Sequence, residues 1–182
     1  MTEQTLFFAA IITIYLYLLM IVWSILKPRQ RIWPPGASTW KVLFSWIIFY
    51  MGVGLTIILS VIQWNTWFIP SEIRFGVGAP LLTLGGGLAV WGIVTLGVEN
   101  THGRKGGFVL QGPYRFTRNP QYLGDIVMLI GVILLVNAIH VTVVSLLMIL
   151  TFILMPLSEE TWLQVQYGKE YLHYKTQTSR FL

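Results

Sequence analysis

Residues 123–157, LGDIVMLIGVILLVNAIHVTVVSLLMILTFILMPL, form an apolar stretch that contains one charged side chain, Asp125. The hydrocarbon core of a bilayer is about 30 Å thick and a helix rises about 1.5 Å per residue, so roughly 20 residues cross it. This stretch is too long for one span, and polar residues interrupt it at Asn137 and His140. It therefore predicts a hairpin of two membrane helices, over 121–137 and 140–157.

The composition places the rest of the chain in a membrane as well. Of its 182 residues, 55% are hydrophobic and 10% are charged, against roughly 25% charged residues in an ordinary soluble domain. Three more uncharged stretches, 6–26, 42–64 and 75–98, are each long enough to span a bilayer. We expect one all-α integral membrane domain over 1–182, with about five transmembrane helices and a C-terminal interfacial amphipathic helix.

The residue inventory excludes several kinds of site. The chain has no cysteine, which excludes disulfides, thiolate metal ligands and a cysteine nucleophile. Its histidines, His102, His140 and His173, are far apart in sequence, and none has a second ligand three or four residues further on. No metal site is therefore expected.

The distribution of basic residues predicts the orientation. The loops after the first and third spans carry Lys27, Arg29, Arg31 and Lys41, and Arg104, Lys105, Arg115 and Arg118. In the connection after the second span, Arg74 is the single basic residue. Because cytoplasmic loops are enriched in lysine and arginine, we expect an outside N-terminus and a cytoplasmic C-terminus, in the cytoplasmic membrane of a prokaryote. The basic residues of the two cytoplasmic loops then account for the net charge of +5. The charge therefore does not indicate nucleic-acid binding, and no nucleic-acid partner is expected.

The third predicted span is rich in glycine, with seven between residues 76 and 97. Gly85 and Ala89 have the small-xxx-small spacing that lets membrane helices approach closely. Close helix packing is the simpler interpretation of these residues. A groove for an acyl or isoprenoid chain is the alternative.

Residues 106–125, GGFVLQGPYRFTRNPQYLGD, lead into the fourth span. Asn119 followed by Pro120 predicts a helix N-cap and a first helical residue. The unpaired N–H groups of that helix end, with Arg115 and Arg118 before them, would form a positive pocket for a carboxylate or phosphate. Alternatively, these arginines only follow the enrichment of basic residues in cytoplasmic loops.

The segment 158–175, after the fifth span, contains an acidic pair, Glu159 and Glu160. These residues interrupt the basic pattern of the cytoplasmic side. They either bind a cation or form a solvated helix end that is paired with loop arginines. Because segments 106–124 and 158–175 would share one membrane face, together they would suit a small cofactor that carries both charges.

The strings GPYRFTRNPQYLG and, after the hairpin, EETWLQVQYGKEYLHY make the chain similar to a superfamily of integral membrane methyltransferases. This superfamily contains the isoprenylcysteine carboxyl methyltransferases and the phospholipid methyltransferases. Its pattern is R-H-P-x-Y-x-G followed by E-E, and Asn119 replaces the histidine here, which resembles phospholipid-modifying members. The resemblance covers about 106–182 and implies S-adenosylmethionine as the cofactor.

The resemblance also implies site residues. The expected cofactor-binding residues are Gly106, Gly107, Phe108, Val109, Tyr114, Arg118, Asn119, Pro120, Gln121, Tyr122 and Glu159. The expected catalytic residues are Arg118, Glu159 and Glu160. Arg118 or the helix N-terminus would hold the cofactor carboxylate, and Glu159 would pair with a cationic or ribose group.

The acceptor is expected to be a lipid or another apolar small molecule. Prenylcysteine enzymes of this family resemble one another in carrying an arginine four residues before the binding glutamate, and here that position is Met155. A lipid amine, a lipid-soluble hydroxyl or acid, and a small thiol all remain open.

Two other classes of protein compete with the methyltransferase interpretation. NADPH-dependent membrane reductases of the sterol reductase type resemble the motif around R-x-x-R-H-P-x-Y, although they are generally longer. A channel or small transporter is less favoured, because Asp125 is expected in the first turn of a helix, where the dipole favours an acid.

Overall fold

The computed structural model describes residues 2–181. Most of this range lies in five helices: α1 (Glu3–Leu26), α2 (Thr39–Ile62), α3 (Ser71–Leu96), α4 (Pro120–Val136) and α5 (Ile139–Gln177). No described residue lies in a strand, so the all-α prediction is confirmed. Four helices are long and apolar enough to cross a membrane, and α4 is a shorter apolar helix. The chain is therefore an integral membrane protein.

The predicted hairpin is formed by α4 and α5. Between them, Asn137 has a left-handed backbone (φ 55°), and its Oδ1 accepts the N–H of Ile69 at 3.0 Å. The buried Arg74 of α3 donates through Nε and Nη2 to the carbonyl oxygen of Leu135, at 3.1 and 2.9 Å. The bonds from Arg74 satisfy a carbonyl group at the end of α4 that lacks a helical partner. Together with the Asn137–Ile69 bond, they attach the start of α3 to the hairpin.

The antiparallel helices α3 and α4 pack together through small residues. A Cβ atom at Gly124 would collide with the backbone nitrogen of Ala89, and one at Gly85 would collide with the backbone nitrogen of Met128. The packing interpretation of Gly85 and Ala89 is therefore confirmed. The alternative of a lipid groove at Gly85 is wrong, because α4 fills that surface of α3.

The main apolar core lies between α1, α2 and α5. Ile21 of α1, Leu59 of α2, and Val141 and Val144 of α5 are completely buried in it. Lipid tails are as apolar as these side chains, so van der Waals packing, and not removal of apolar surface from water, holds the helices together here. This packing sets the position of α5 relative to the loop that follows α1, and that loop contributes to the site described below.

The segment expected to form an interfacial helix, 158–175, continues directly from the fifth span within α5. The helical geometry is interrupted at Gly168, where φ is 55° and ψ is −125°. Glycine adopts positive φ without the steric cost of a Cβ atom, so it allows the remaining residues of α5 to turn. Glu159 and Glu160 consequently lie inside a long helix and not at its end.

At the start of α4, the expectation for Asp125 is wrong and the one for Asn119 and Pro120 is confirmed in position but not in the capping bond. Asp125 is the sixth residue of α4, beyond the first turn, so the helix-dipole argument for an acid there does not apply. Asn119 occupies the N-cap position and Pro120 begins the helix, but the Asn119 side chain makes no capping hydrogen bond. Its Nδ2 donates instead to the carbonyl oxygen of Arg180, at 2.9 Å.

Candidate functional site

A cavity opens at the end of the bundle where α4 begins. The loop between α3 and α4, the helix α5, and Trp33 and Pro34 of the loop after α1 form its walls. The space inside it, with the open mouth included, is about 840 Å³. Both segments singled out in the sequence contribute to it.

Most of the residues predicted to bind a cofactor or to act in catalysis line this cavity. They are Gly107, Phe108, Val109, Tyr114, Arg118, Asn119, Gln121, Tyr122, Glu159 and Glu160. Gly106 and Pro120 do not line it. The N–H of Gly106 donates to Oδ1 of Asn100 at 3.0 Å, which shapes the loop, and Pro120 is buried as the first residue of α4.

Glu159 is held through one of its two carboxylate oxygens. Its Oε1 accepts a hydrogen bond from Nε1 of Trp33 at 2.7 Å and another from the hydroxyl of Tyr122. The buried Ser24 positions Trp33, because its Oγ accepts the main-chain N–H of Trp33 at 3.1 Å. Within residues 2–181, no group donates to Oε2 of Glu159, so this oxygen is available to a ligand in the cavity.

Glu160, the next residue, is surrounded by cations. Its Oε1 accepts from Nε of Arg180 at 2.6 Å and lies 3.3 Å from Nη1 of Arg118, while its Oε2 accepts from Nζ of Lys175 at 2.8 Å. The Arg180–Glu160 hydrogen bond raises the pKa of the Arg180 guanidinium. Pairing with a loop arginine, one of the two interpretations of the acidic pair, therefore describes Glu160. It does not describe Glu159.

One hydrogen-bond donor of Arg118, its Nε atom, has no partner in the described part of the chain. Its side chain is 8% exposed, and Nη1 also lies 3.3 Å from the hydroxyl of Tyr171. Its Nε is buried and has no hydrogen-bond partner among the described residues. A buried donor without a partner costs roughly 1–3 kcal/mol, and an acceptor on a ligand in the cavity would remove that cost.

Residues 179 and 180, which we call the strap, cross the turn that carries Arg118. The carbonyl oxygen of Ser179 accepts the main-chain N–H of Arg118 at 3.0 Å. The carbonyl oxygen of Arg180 accepts from Oγ1 of Thr117 at 3.0 Å and from Nδ2 of Asn119 at 2.9 Å. Together with the Arg180–Glu160 ion pair, these bonds fix the turn at the edge of the cavity.

Aromatic residues of α5 complete the opposite wall. Tyr167 stacks on Phe108 with ring centroids 4.8 Å apart, and its hydroxyl donates to the carbonyl oxygen of Gly106 at 3.1 Å. Tyr174 donates to the carbonyl oxygen of Tyr114 at 2.6 Å. Burial and the nearby Glu159 raise the pKa of Tyr114, so its hydroxyl stays protonated at neutral pH.

Sequence analysis did not identify Trp33, Asn100 or Tyr167 as site residues. Trp33 lies 126 positions from its partner Glu159, so no local pattern connects them. Asn100 lies in a short helix, Val98–Thr101, outside the recognised motif. Tyr167 belongs to the second string of the family resemblance, EETWLQVQYGKEYLHY, but no role was assigned to it there.

A protein-family model described as phospholipid methyltransferase matches residues 73–170. The chain belongs to this family. The matched region contains most of α3, all of α4 and most of α5, and with them the residues Arg118, Tyr122, Glu159 and Glu160. No curated protein and no solved structure matches the chain. Family membership implies methyltransferase activity for this membrane protein. Trp33 and the strap lie outside the matched region.

Proposed function

We propose that the protein transfers a methyl group from S-adenosylmethionine to a membrane-embedded or apolar acceptor at the cytoplasmic face. One observation carries this proposal. The same cavity is lined by Arg118 and Glu159. Among the described residues, the buried Nε of Arg118 has no hydrogen-bond partner, and the hydrogen bonds of Glu159 all reach Oε1. A ligand with an acidic group and a cationic or hydroxyl group would complement both.

The residues present fit this cofactor. Arg118 and the main-chain N–H groups at the start of α4 would hold its carboxylate, because both favour an anion. Glu159 would accept from its ammonium group or from ribose hydroxyls. Phe108 and Tyr167 offer aromatic surface to its adenine. When bound, the cofactor supplies a methyl group that is activated by a sulfonium charge.

The protein itself contributes orientation and shielding. Glu160 lies 3.3 Å from Arg118, which supports a role for Glu160 in positioning the Arg118 side chain. Glu159 does not pair with Arg118. The buried aromatic residues Trp33, Tyr114 and Tyr122 limit access of water. Aligning an acceptor with the methyl group in such a site lowers the barrier without a covalent enzyme intermediate.

Two features support an apolar acceptor. Met155 is 3% exposed and lies in the apolar core, so no cation stands there for a prenylcysteine carboxylate. The ring of Tyr122 stacks on Phe152 with centroids 6.0 Å apart, and Phe152 and Tyr17 line an apolar pocket between α1, α2 and α5. An acceptor that enters laterally from the bilayer would meet apolar surface before the cavity.

The experiment is calorimetric titration with S-adenosylhomocysteine and with NADPH. We expect binding of the former only. Arg118→Ala and Glu159→Gln should each weaken it about ten- to a hundred-fold, because one charge-assisted hydrogen bond contributes about 1.5–3 kcal/mol. Arg115→Ala and Glu170→Gln, at exposed positions outside the cavity, are the matched controls. Unchanged affinity in both cavity variants would place the site elsewhere, and binding of NADPH would favour the reductase alternative.

A further inference from the structure

A second depression shares Pro34 with the cavity. Arg29, Arg31 and Lys41 line it, together with prolines of the loop after α1 and with Thr161 and Val165 of α5. We call it the basic cleft. It is open, with a volume of about 810 Å³ when its mouth is included. No aspartate or glutamate lines it.

The three cations of the basic cleft have no counter-ion in the described part of the chain. Within residues 2–181, no carboxylate lies within 4.0 Å of Arg29, Arg31 or Lys41. Arg31 and Lys41 are half-buried, and Nζ of Lys41 donates to the carbonyl oxygen of Arg31 at 2.6 Å. Both cations line the same depression, so an anion bound in it would be attracted by each of them.

Two exposed tryptophans indicate the level in the membrane at which the basic cleft lies. Trp23, near the end of α1, is 45% exposed, and Trp40, at the start of α2, is 61% exposed. Nζ of Lys41 lies 5.8 Å from the centre of the Trp40 ring. Exposed tryptophans of membrane proteins concentrate at the level of the lipid head groups. The cleft therefore opens at the depth of lipid phosphates, which favours a lipid over an ion free in solution.

The basic cleft adjoins the cavity through two consecutive residues. Pro34 lines both spaces, and Trp33 before it donates to Glu159. A phosphate bound by Arg31 and Lys41 would therefore hold the attached head group beside the wall that carries Glu159.

We propose that the basic cleft binds the phosphodiester of a membrane phospholipid and directs its head group toward the cavity. The identification of that lipid as the acceptor rests on the proposed function. Binding of the lipid does not, because it needs neither the cofactor nor methyl transfer. The cations and prolines of the cleft lie in a part of the chain that the family match does not cover, whereas Thr161 and Val165 lie inside the match.

The test measures lipid binding to the full chain in detergent by native mass spectrometry, without cofactor. The probes are a short-chain phosphatidylethanolamine, the diacylglycerol with the same chains, and inorganic phosphate. Arg31→Gln and Lys41→Gln should each weaken phosphatidylethanolamine binding about five-fold, the effect of roughly 1 kcal/mol for one basic residue at a membrane surface. Arg115→Gln and Lys169→Gln, which remove exposed cations outside the cleft, should leave it unchanged.

The charge-retaining variants Arg31→Lys and Lys41→Arg should bind phosphatidylethanolamine as the wild type does, which separates loss of charge from loss of fold. Diacylglycerol should bind equally weakly to all variants. Equal affinity of wild type, Arg31→Gln and Lys41→Gln for phosphatidylethanolamine would overturn the proposal. Full displacement of the lipid by inorganic phosphate would also overturn it, in favour of a site for a free anion. Lipid binding without methyl transfer to that lipid would refute only its identification as the acceptor.

Discussion

The ion pairs of Glu160 allow a quantitative prediction of how a substitution changes the free energy of unfolding. Glu160→Gln keeps the shape of the side chain but removes the charge that Arg118, Lys175 and Arg180 share. Lys175 and Arg180 are 40% and 39% exposed, so each of these pairs contributes about 0–1 kcal/mol. Arg118 is 8% exposed, and breaking a buried pair costs about 3–5 kcal/mol.

The glutamine oxygen still accepts hydrogen bonds, so the lower end of that range applies. We expect a loss of about 3 kcal/mol in the free energy of unfolding. For a chain of this length such a loss lowers Tm by roughly 6–12 °C. The assay is thermal unfolding in detergent, followed by tryptophan fluorescence. Glu170→Gln, which removes an exposed carboxylate from the same helix, should leave Tm unchanged.

A second measurement tests the stated cause. The main-chain N–H of Arg118 donates to Ser179 of the strap, and the strap depends on the Arg180–Glu160 pair. Hydrogen exchange at the Arg118 amide should therefore accelerate in Glu160→Gln and stay slow in Glu170→Gln. Wild-type melting together with a protected Arg118 amide in Glu160→Gln would refute this account of the Glu160 ion pairs.

Three further predictions concern orientation, acceptor and helix packing. A cysteine introduced at Gln111 should resist impermeant thiol reagents added outside intact cells, because its loop is expected in the cytoplasm; labelling there would reverse the orientation. The acceptor can be identified by a methyl-label assay with membrane lipid extract, small apolar thiols and amines, and a prenylcysteine analogue. We expect label in the lipid or small-molecule fractions. Label in the prenylcysteine analogue alone would contradict the acceptor assignment. Gly124→Ala should destabilise the protein by about 1–3 kcal/mol, since the added Cβ collides with α3. Gly54 has open space around it, so Gly54→Ala should be neutral or stabilising by up to about 1 kcal/mol. A chemical or thermal unfolding assay measures both effects.

Features that depend on neighbouring residues could be predicted from the sequence. The apolar stretches predicted the helices and the hairpin, because crossing a bilayer requires a fixed length of uncharged helix. The spacing of Gly85 and Ala89 predicted close packing, because residues four apart lie on one helix face. The family signature drew attention to the segments that line the cavity.

The different environments of Glu159 and Glu160 were decided by tertiary structure alone. The two are adjacent in sequence, yet Glu159 accepts from Trp33 and Tyr122, whereas Glu160 binds Arg118, Lys175 and Arg180. Successive residues of a helix point about 100° apart, so each meets partners from different parts of the chain. The role of Asn119 changed for the same reason. Local preference favours an N-cap, but the strap, 61 residues away, supplies an acceptor that the side chain uses instead.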